Sequence, residues 1–353
     1  MSPMSPMNVT SPTTTAVHDH QLDGLDGTNP LAYLAALGAL AAADAAAPGA
    51  RLAWRNLGRW RPVLSTALDR AALVAALAAD VRTWDGDPAI GLSYSKRDDD
   101  DGDADGASPP RKAKKKAGGD EKVARDLKPS PARFRAYLGE LLTGAGGDLA
   151  AGFLVGRRRP LDYAAAFGSE LVTDNNGNVK PTALHFTAGQ QEFLKAVLAL
   201  VEGVTAADLE EALFGPWRYD RQLPVMGWDA TASRDYALRA DDPSKDKKVG
   251  VPGADWLAFR GLAFVPVAPR DELVTAGCGG GWKTGHFTWC LWTPALSPHA
   301  VRTALVLDRP DQLSAHERRA RGLELVLRSG IRRSDQGGYG SFLPADVRPP
   351  PRR

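Results

Sequence analysis

Cysteine is almost absent: Cys278 and Cys290 are the only two in 353 residues. So sparse a pair excludes a disulfide framework and suits a reducing compartment, with the cytoplasm as the expected location. Long hydrophobic runs are also missing. No stretch of eighteen apolar residues occurs, and the strongly apolar segment 30–47 is Ala-rich, follows Asp23 and Asp26, and lacks a basic leader. It reads as a helix of a soluble protein, with no membrane as partner. No repeat of fixed period is visible, which argues against a solenoid. Nor is there a large excess of one charge: 44 basic residues against 42 acidic ones leave +2. That balance hides segregation, because an acidic run sits beside a basic one and the chain ends Arg348-Pro349-Pro350-Pro351-Arg352-Arg353. Local charge is therefore what could matter to a polyanion.

What remains is a chain with 43% hydrophobic residues, enough for one large or two ordinary domains. Residues 1–17 are mostly Ser, Thr, Pro and Met without period, so they are expected to form a mobile tail. Asn29 caps and Pro30 opens a helix carrying Leu31, Leu34, Leu37 and Leu40, which Asp44 and Pro48-Gly49 end. Arg51 to Arg55 alternates as a half-buried strand, and 65–81 returns to helical period through Leu68, Leu73 and Leu77. The stretch 96–129, with six aspartates between Asp98 and Asp105 and five basic residues between Arg111 and Lys116, is expected to be a disordered, charged insertion.

Beyond it, Ser130-Pro131 caps a helix over 133–142. Asn176-Gly177 marks a type I′ hairpin turn within 168–186. An amphipathic helix is expected over 187–201 through Phe193, Leu194, Val197, Leu198 and Val201, and a shorter one over 206–213. Runs 262–267 and 287–292 read as buried strands, 296–305 and 314–326 as helices, and 337–340 as a loop. The reading is an α+β fold of mixed helices and short antiparallel strands and hairpins, divided as tail 1–20, N-terminal part 21–95, insertion 96–129, helical part with a hairpin 130–215, C-terminal part 216–345 and basic tail 346–353. The order of elements also allows two lobes joined across the insertion.

Chemistry-bearing patterns are few. Gly277-Cys278-Gly279-Gly280-Gly281-Trp282-Lys283-Thr284 matches a phosphate loop except that Trp282 replaces the second Gly, and a strand rather than a helix follows. A glycine-rich hairpin that lets backbone approach a partner is the better reading. Cys278, His286 and Cys290, with His185 or His299, are residue types that hold zinc, yet no paired CxxC or HxxxH spacing supports a site. Cys290 between Trp289 and Leu291 reads as a small buried hydrophobe. No Gly-x-Ser-x-Gly elbow occurs, and His18 and His20 fall near the expected tail. Asp229, Asp235, Asp241 and Asp242 flank Arg234, Tyr236 and Arg239 and read as ion-pair partners. The basic clusters Arg111 to Lys116, Arg157 to Arg159, Arg318-Arg319 with Arg321, and Arg332-Arg333 suit phosphate contact or mere solvation, and aromatic interleaving is absent around the first two.

Several motifs together resemble a family. They are 25–38 (Leu25-Asp26-Gly27-Thr28-Asn29-Pro30 onward), Trp60 to Leu64, Pro181 to Gln190, Trp228-Asp229 with Arg234 to Arg239, and 287–297. Spread over most of 22–344, they look like the subtype I-G (formerly I-U) CRISPR-associated proteins, in particular the family proposed as a short large-subunit analogue of Cascade. The resemblance implies a non-catalytic subunit of an RNA-guided antiviral complex. Its partners would be CRISPR backbone subunits with guide RNA, and target DNA, with the helicase-nuclease recruited separately. It implies no cofactor, no metal and no catalytic residues. Base pairing reads sequence in such systems while protein supplies backbone contacts.

Candidate nucleic-acid contacts are Asn175, Asn176 and Lys180 at the hairpin tip, Lys283 in the glycine-rich loop, and Arg157, Arg158 and Arg159. The acidic half of the insertion puts any role of Arg111 to Lys116 in doubt. Two other readings stand beside this one: a structural or regulatory protein of another multiprotein bacterial system, joined through apolar surface around Trp289 and Trp292, and a metal-dependent nuclease built on Cys278, His286, Cys290 and nearby carboxylates.

Overall fold

The computed structural model describes residues 16–95, 123–144, 158–187, 191–231, 249–306, 309–334 and 339–351. At the centre lie two helices far apart in sequence, α1 (Pro30–Ala46) and α7 (Pro252–Gly261). The start of α1 is as the sequence dictates: Asn29 Oδ1 accepts the Leu31 amide at 2.9 Å and Pro30 fills the first turn. Its end is closed by Asp44, whose Oδ1 accepts from Gly49 N at 2.9 Å and Ala50 N at 3.1 Å. The leucine stripe understates the burial, since thirteen of the seventeen residues are buried. All ten residues of α7 are buried as well. A Cβ on Gly38 would sit 1.8 Å from the Leu257 carbonyl oxygen, and one on Gly261 would sit 2.2 Å from that of Leu34. The two helices therefore touch backbone to backbone, which only glycine permits at these positions.

Among the described residues, two larger antiparallel sheets and three two-stranded ones accompany this pair. The first sheet joins β1 (His18–Gln21), β2 (Arg51–Asn56) and β3 (Trp60–Thr66) in the order β1-β3-β2. β3 carries Pro62, which has no amide hydrogen, in a middle strand. The register explains it: the β1 ladder ends at Gln21 with Val63, and the next residue, Leu22, donates its amide to Pro62 O at 2.9 Å, so only the proline carbonyl is used there. Then come α2 (Arg70–Arg82), β4 (Tyr94–Ser95), β5 (Val123–Ala124), α3 (Pro131–Gly144), α4 (Arg158–Phe167), β6 (Gly168–Thr173), β7 (Val179–Pro181), α5 (Phe193–Gly203) and α6 (Ala206–Phe214). After α7 follow β8 (Val267–Pro269), β9 (Leu273–Thr275), β10 (Cys278–Gly279), β11 (His286–Trp292), α8 (Pro298–Leu305), α9 (Ala315–Ala320), β12 (Leu323–Arg333), β13 (Gly340–Phe342) and β14 (Asp346–Val347). The second sheet runs β10-β11-β12-β13, with β14 also on β12.

The architecture is thus α+β, with one hydrophobic cluster extending from Leu22 to Phe342. Aromatic rings fill it in two groups. Tyr33, Trp54, Phe287, Trp289 and Trp292 pack between the sheets, with Trp289 Nε1 donating to Gly27 O at 2.9 Å and Trp292 Nε1 to Leu52 O at 2.8 Å. Trp84, Tyr163, Trp256 and Phe259 form the other group. Against it lies a buried ion pair: Arg260, 4% exposed, donates to both oxygens of Asp80 at 2.8 and 3.0 Å and to Tyr163 Oη at 2.8 Å. Trp289 and Trp292 are core residues, so they offer no surface for a partner.

Several expectations need correction. His18 to Gln21 is a strand, not tail. The segment 65–81 is the end of β3 followed by α2, which starts at Arg70 because Asp69 caps it, accepting from Ala72 N. The amphipathic helix of 187–201 starts at Phe193 and runs to Gly203. Segment 262–267 opens with a 3₁₀ continuation of α7 over 262–264, and only Val267 belongs to a strand. The helix of 314–326 stops at Ala320, because Gly322 takes φ +68° and turns the chain into the eleven-residue β12. Of the charged insertion, 96–122 lies outside the described residues, whereas β5 and Leu127 are folded in and Leu127 is fully buried.

Candidate nucleic-acid interface

The first candidate group is the β6–β7 hairpin. Thr173 pairs with Val179, leaving a connection of five residues. Asp174 organises it: its carbonyl accepts from Gly177 N at 3.0 Å, and its Oδ1 accepts from Asn176 N at 2.8 Å and Asn178 N at 3.2 Å. Of the turn residues only Gly177 has a positive φ, 81°. A type I′ turn needs two such residues, so the expected hairpin is present but its turn type is not. The reason is the Asp174 carboxylate, which holds Asn175-Asn176 as the turn centre and hands the left-handed position to Gly177. Asn175 and Asn176 are exposed at the tip. Lys180 lies farther down, 3.4 Å from Glu272 in an exposed pair worth less than about 1 kcal/mol.

The second group is the glycine-rich hairpin of β10 and β11. Its tip closes through Thr284 N to Gly281 O at 3.2 Å and Gly281 N to Thr284 Oγ1 at 3.0 Å, with Gly280 at φ +78°. A strand follows the tip, as its sequence demanded, so no helix N-terminus is available for a phosphate there. Trp282 and Lys283 stand exposed. Among the described residues no carboxylate pairs with Lys283, and the whole stretch 273–298 contains no Asp or Glu. β12 brings a further pair of cations beside this hairpin, because Ile331 N donates to Gly285 O at 2.7 Å. Arg332 is exposed. Arg333 is pinned by donating to His185 O at 2.9 Å and Ala183 O at 2.8 Å, and it lies between two rings, 5.4 Å from Phe186 and 5.0 Å from Trp282.

The two hairpins are linked through β8 and β9. Thr275 Oγ1 accepts from Ala183 N at 2.8 Å, fastening the end of β9 to the chain just after β7. The third candidate group is not joined to them. Arg157 lies outside the described residues, and Arg158 opens α4, whose far end leads into β6. Ten helical residues separate the two ends by about 15 Å. Arg159 is occupied internally: it pairs with Asp87 at 2.5 Å, donates to Thr83 Oγ1 at 2.8 Å and lies 4.6 Å over Trp84. Arg318 is likewise internal, donating to the carbonyls of Arg348 and Asp311. Arg111 to Lys116 and Arg234 to Arg239 lie outside the described residues.

The residues named for zinc do not converge. Cys278 pairs with Phe287 and so shares its face of the sheet, while His286 and Cys290 alternate to the opposite face. Burial pushes both thiols up to about 12, which keeps them neutral near pH 7. His185 is engaged with Asp126 at 2.8 Å and Thr187 at 3.1 Å. No group of three or more His, Cys, Asp or Glu suited to a metal occurs among the described residues.

Next to Arg333 opens a cleft of about 390 Å³, lined in part by Phe186, Tyr219, Asp229, Asp255 and Phe342. Asp229 was expected to pair with arginine. The arginines it was read against, Arg234 and Arg239, lie outside the described residues; among those described it accepts from the Asn29 amide at 2.8 Å, Tyr219 Oη at 2.9 Å, and Thr231 N and Oγ1 at 2.9 and 2.8 Å. It thereby orients the amide whose other end caps α1. Asp255, in the first turn of α7, is 2% exposed and accepts from Met226 N at 3.0 Å. Burial, aided by the nearby Asp229 charge, raises its pKa to about 7.

Sequence reasoning passed over Trp282 as an obstacle to a phosphate loop and missed Asp255 altogether. The signal for Trp282 was available: an aromatic next to Lys283 in a stretch free of acids. Asp255 gave none, because only its depth in the fold sets its charge. Compared with protein-family models and with curated proteins, the sequence matches none. No helix among the described residues is long and apolar enough to cross a membrane.

Proposed function

We propose that the chain is a non-catalytic subunit of an RNA-guided CRISPR effector complex of the type I-G, Cascade-like kind, contacting nucleic-acid backbone and partner subunits in antiviral defence. The observation that carries the reading is the glycine-rich hairpin, where exposed Lys283, in a stretch without a single carboxylate, stands beside exposed Arg332 and the pinned Arg333. Such a surface attracts phosphate, since each neutralised backbone charge releases counterions. The motif resemblance adds the kind of assembly. Asn175, Asn176 and Lys180 offer a secondary contact through the linked hairpin, and Arg159 drops out because its guanidinium is already committed.

Co-expression with CRISPR backbone subunits and guide RNA tests this directly. The chain is expected to co-purify with the guide-bearing complex, and alone to bind duplex DNA weakly with strong salt dependence. The double variant Lys283→Glu, Arg332→Glu is expected to lower the slope of log affinity against log salt by about one for each phosphate it no longer neutralises. A chain that never assembles with such subunits, or binding that ignores salt, refutes the reading.

A further inference from the structure

Trp282 is the one aromatic side chain among the strongly exposed large apolar residues described, at 59% exposure. Covering a ring of this size with a partner removes on the order of 100 Å² from water. It is also not loose. The Arg333 guanidinium lies 5.0 Å from the ring, and Arg333 is itself fixed by two backbone carbonyls and by Phe186 at 5.4 Å. Phe186 in turn packs edge-on to Phe342, with centroids 4.9 Å apart. A stack thus runs from the core outward, Phe342, Phe186, Arg333, Trp282, and ends in an indole presented to solvent. Lys283 follows the outermost ring in sequence and Arg333 lies against it, so a cation adjoins it on either account.

We propose that Trp282 is a stacking platform for an unpaired nucleobase, with Lys283 taking the neighbouring phosphate, so that this hairpin holds single-stranded nucleic acid. The inference rests on the nucleic-acid reading above and names which form is held and by which ring. A π-face combined with flanking cations is what sequence-tolerant single-strand binding requires, since every base has a face to stack and every nucleotide a phosphate to neutralise. A duplex offers no free base face to the indole. The charge of the hairpin favours nucleic acid over an apolar protein partner, which needs no cation on either side of its anchor.

The test uses the full chain and two fluorescent probes of equal length, a mixed-sequence single-stranded DNA and its abasic counterpart, read by anisotropy. Trp282→Ala is expected to weaken binding of the base-bearing strand about 5- to 150-fold. Trp282→Phe is expected to recover most of that loss, and the abasic strand is expected to bind wild type and Trp282→Ala alike. Lys283→Ala is expected to weaken both probes. Because Trp282 is exposed, thermal unfolding of the variants should match wild type. Equal binding of the base-bearing strand by wild type and Trp282→Ala overturns the platform, as does equal loss on both probes. Loss of co-purification with effector subunits at unchanged DNA affinity also overturns it and makes Trp282 a protein anchor. If wild type binds neither duplex nor single strand at any salt, the functional reading fails with it.

Discussion

Removing one partner of the Arg260–Asp80 pair should be among the most damaging single changes in the molecule. Arg260 is 4% exposed and its guanidinium cannot shed its charge. Asp80→Ala therefore leaves a buried cation without its counter-charge, a change that costs about 3–5 kcal/mol in comparable sites. Two features soften it. Tyr163 Oη still accepts from the guanidinium at 2.8 Å, and Trp84 lies 4.9 Å beneath it, a contact worth about 0.5–2 kcal/mol that exists in both forms. Asp80 is itself 12% exposed, so water can enter where the carboxylate stood. A net loss of about 2–4 kcal/mol is expected, against a total stability of about 5–15 kcal/mol for a typical fold. Urea unfolding followed by far-UV circular dichroism measures it, with a lowered midpoint and an unchanged slope. The double variant Asp80→Leu, Arg260→Met removes both charges and should return to within about 1 kcal/mol of wild type, as charge-to-apolar replacements do elsewhere. A single-variant loss below about 1 kcal/mol, or a double variant no better than the single, would refute the reasoning.

Two further changes probe the core. Gly38→Ala places a methyl 1.8 Å from the Leu257 carbonyl, so α1 and α7 must separate; a loss of about 1–3 kcal/mol or more is expected in the same unfolding assay, while Ala39→Gly, which opens no clash, should cost no more than about 1 kcal/mol in helix propensity plus a small cavity. Asp255 sets a pH dependence. Its folded pKa near 7 lies above its unfolded value, so its contribution is whole below about pH 4 and is lost as pH rises through about 7. Wild type should lose stability between about pH 4 and 7 and change little from this group above that, and Asp255→Asn should flatten that decline; identical profiles for the two proteins would show that this carboxyl is not the titrating group.

Much of the frame was legible because local chemistry and tertiary demand agree there. Asn29 and Pro30 start α1, Asp44 ends it, and the 287–292 run is the strand it reads as. Legibility fails where burial is complete. The segment 252–261 has glycines near both ends and no amphipathic period, since every face of α7 is covered and none needs to be polar. β3 was hidden by Pro62, which is tolerated because Leu22 opposite it uses only its carbonyl. The first four residues of the 323–333 strand were read into the helix of 314–326 because their Leu and Val positions suit either period, and only the positive φ at Gly322 decides. At the candidate site Lys283 could be read directly. The Phe186–Arg333–Trp282 stack could not, because its members come from three separate parts of the chain.

The backbone contact between α1 and α7 joins segments about 200 residues apart in sequence. During synthesis at about 5–20 residues per second, α1 is expected to wait roughly 10–40 s before the helix that covers it leaves the ribosome. An Ala- and Leu-rich surface is bare for that interval. Successful production of this protein should therefore depend on chaperone supply and on slowed growth temperature more than on any property of the finished fold.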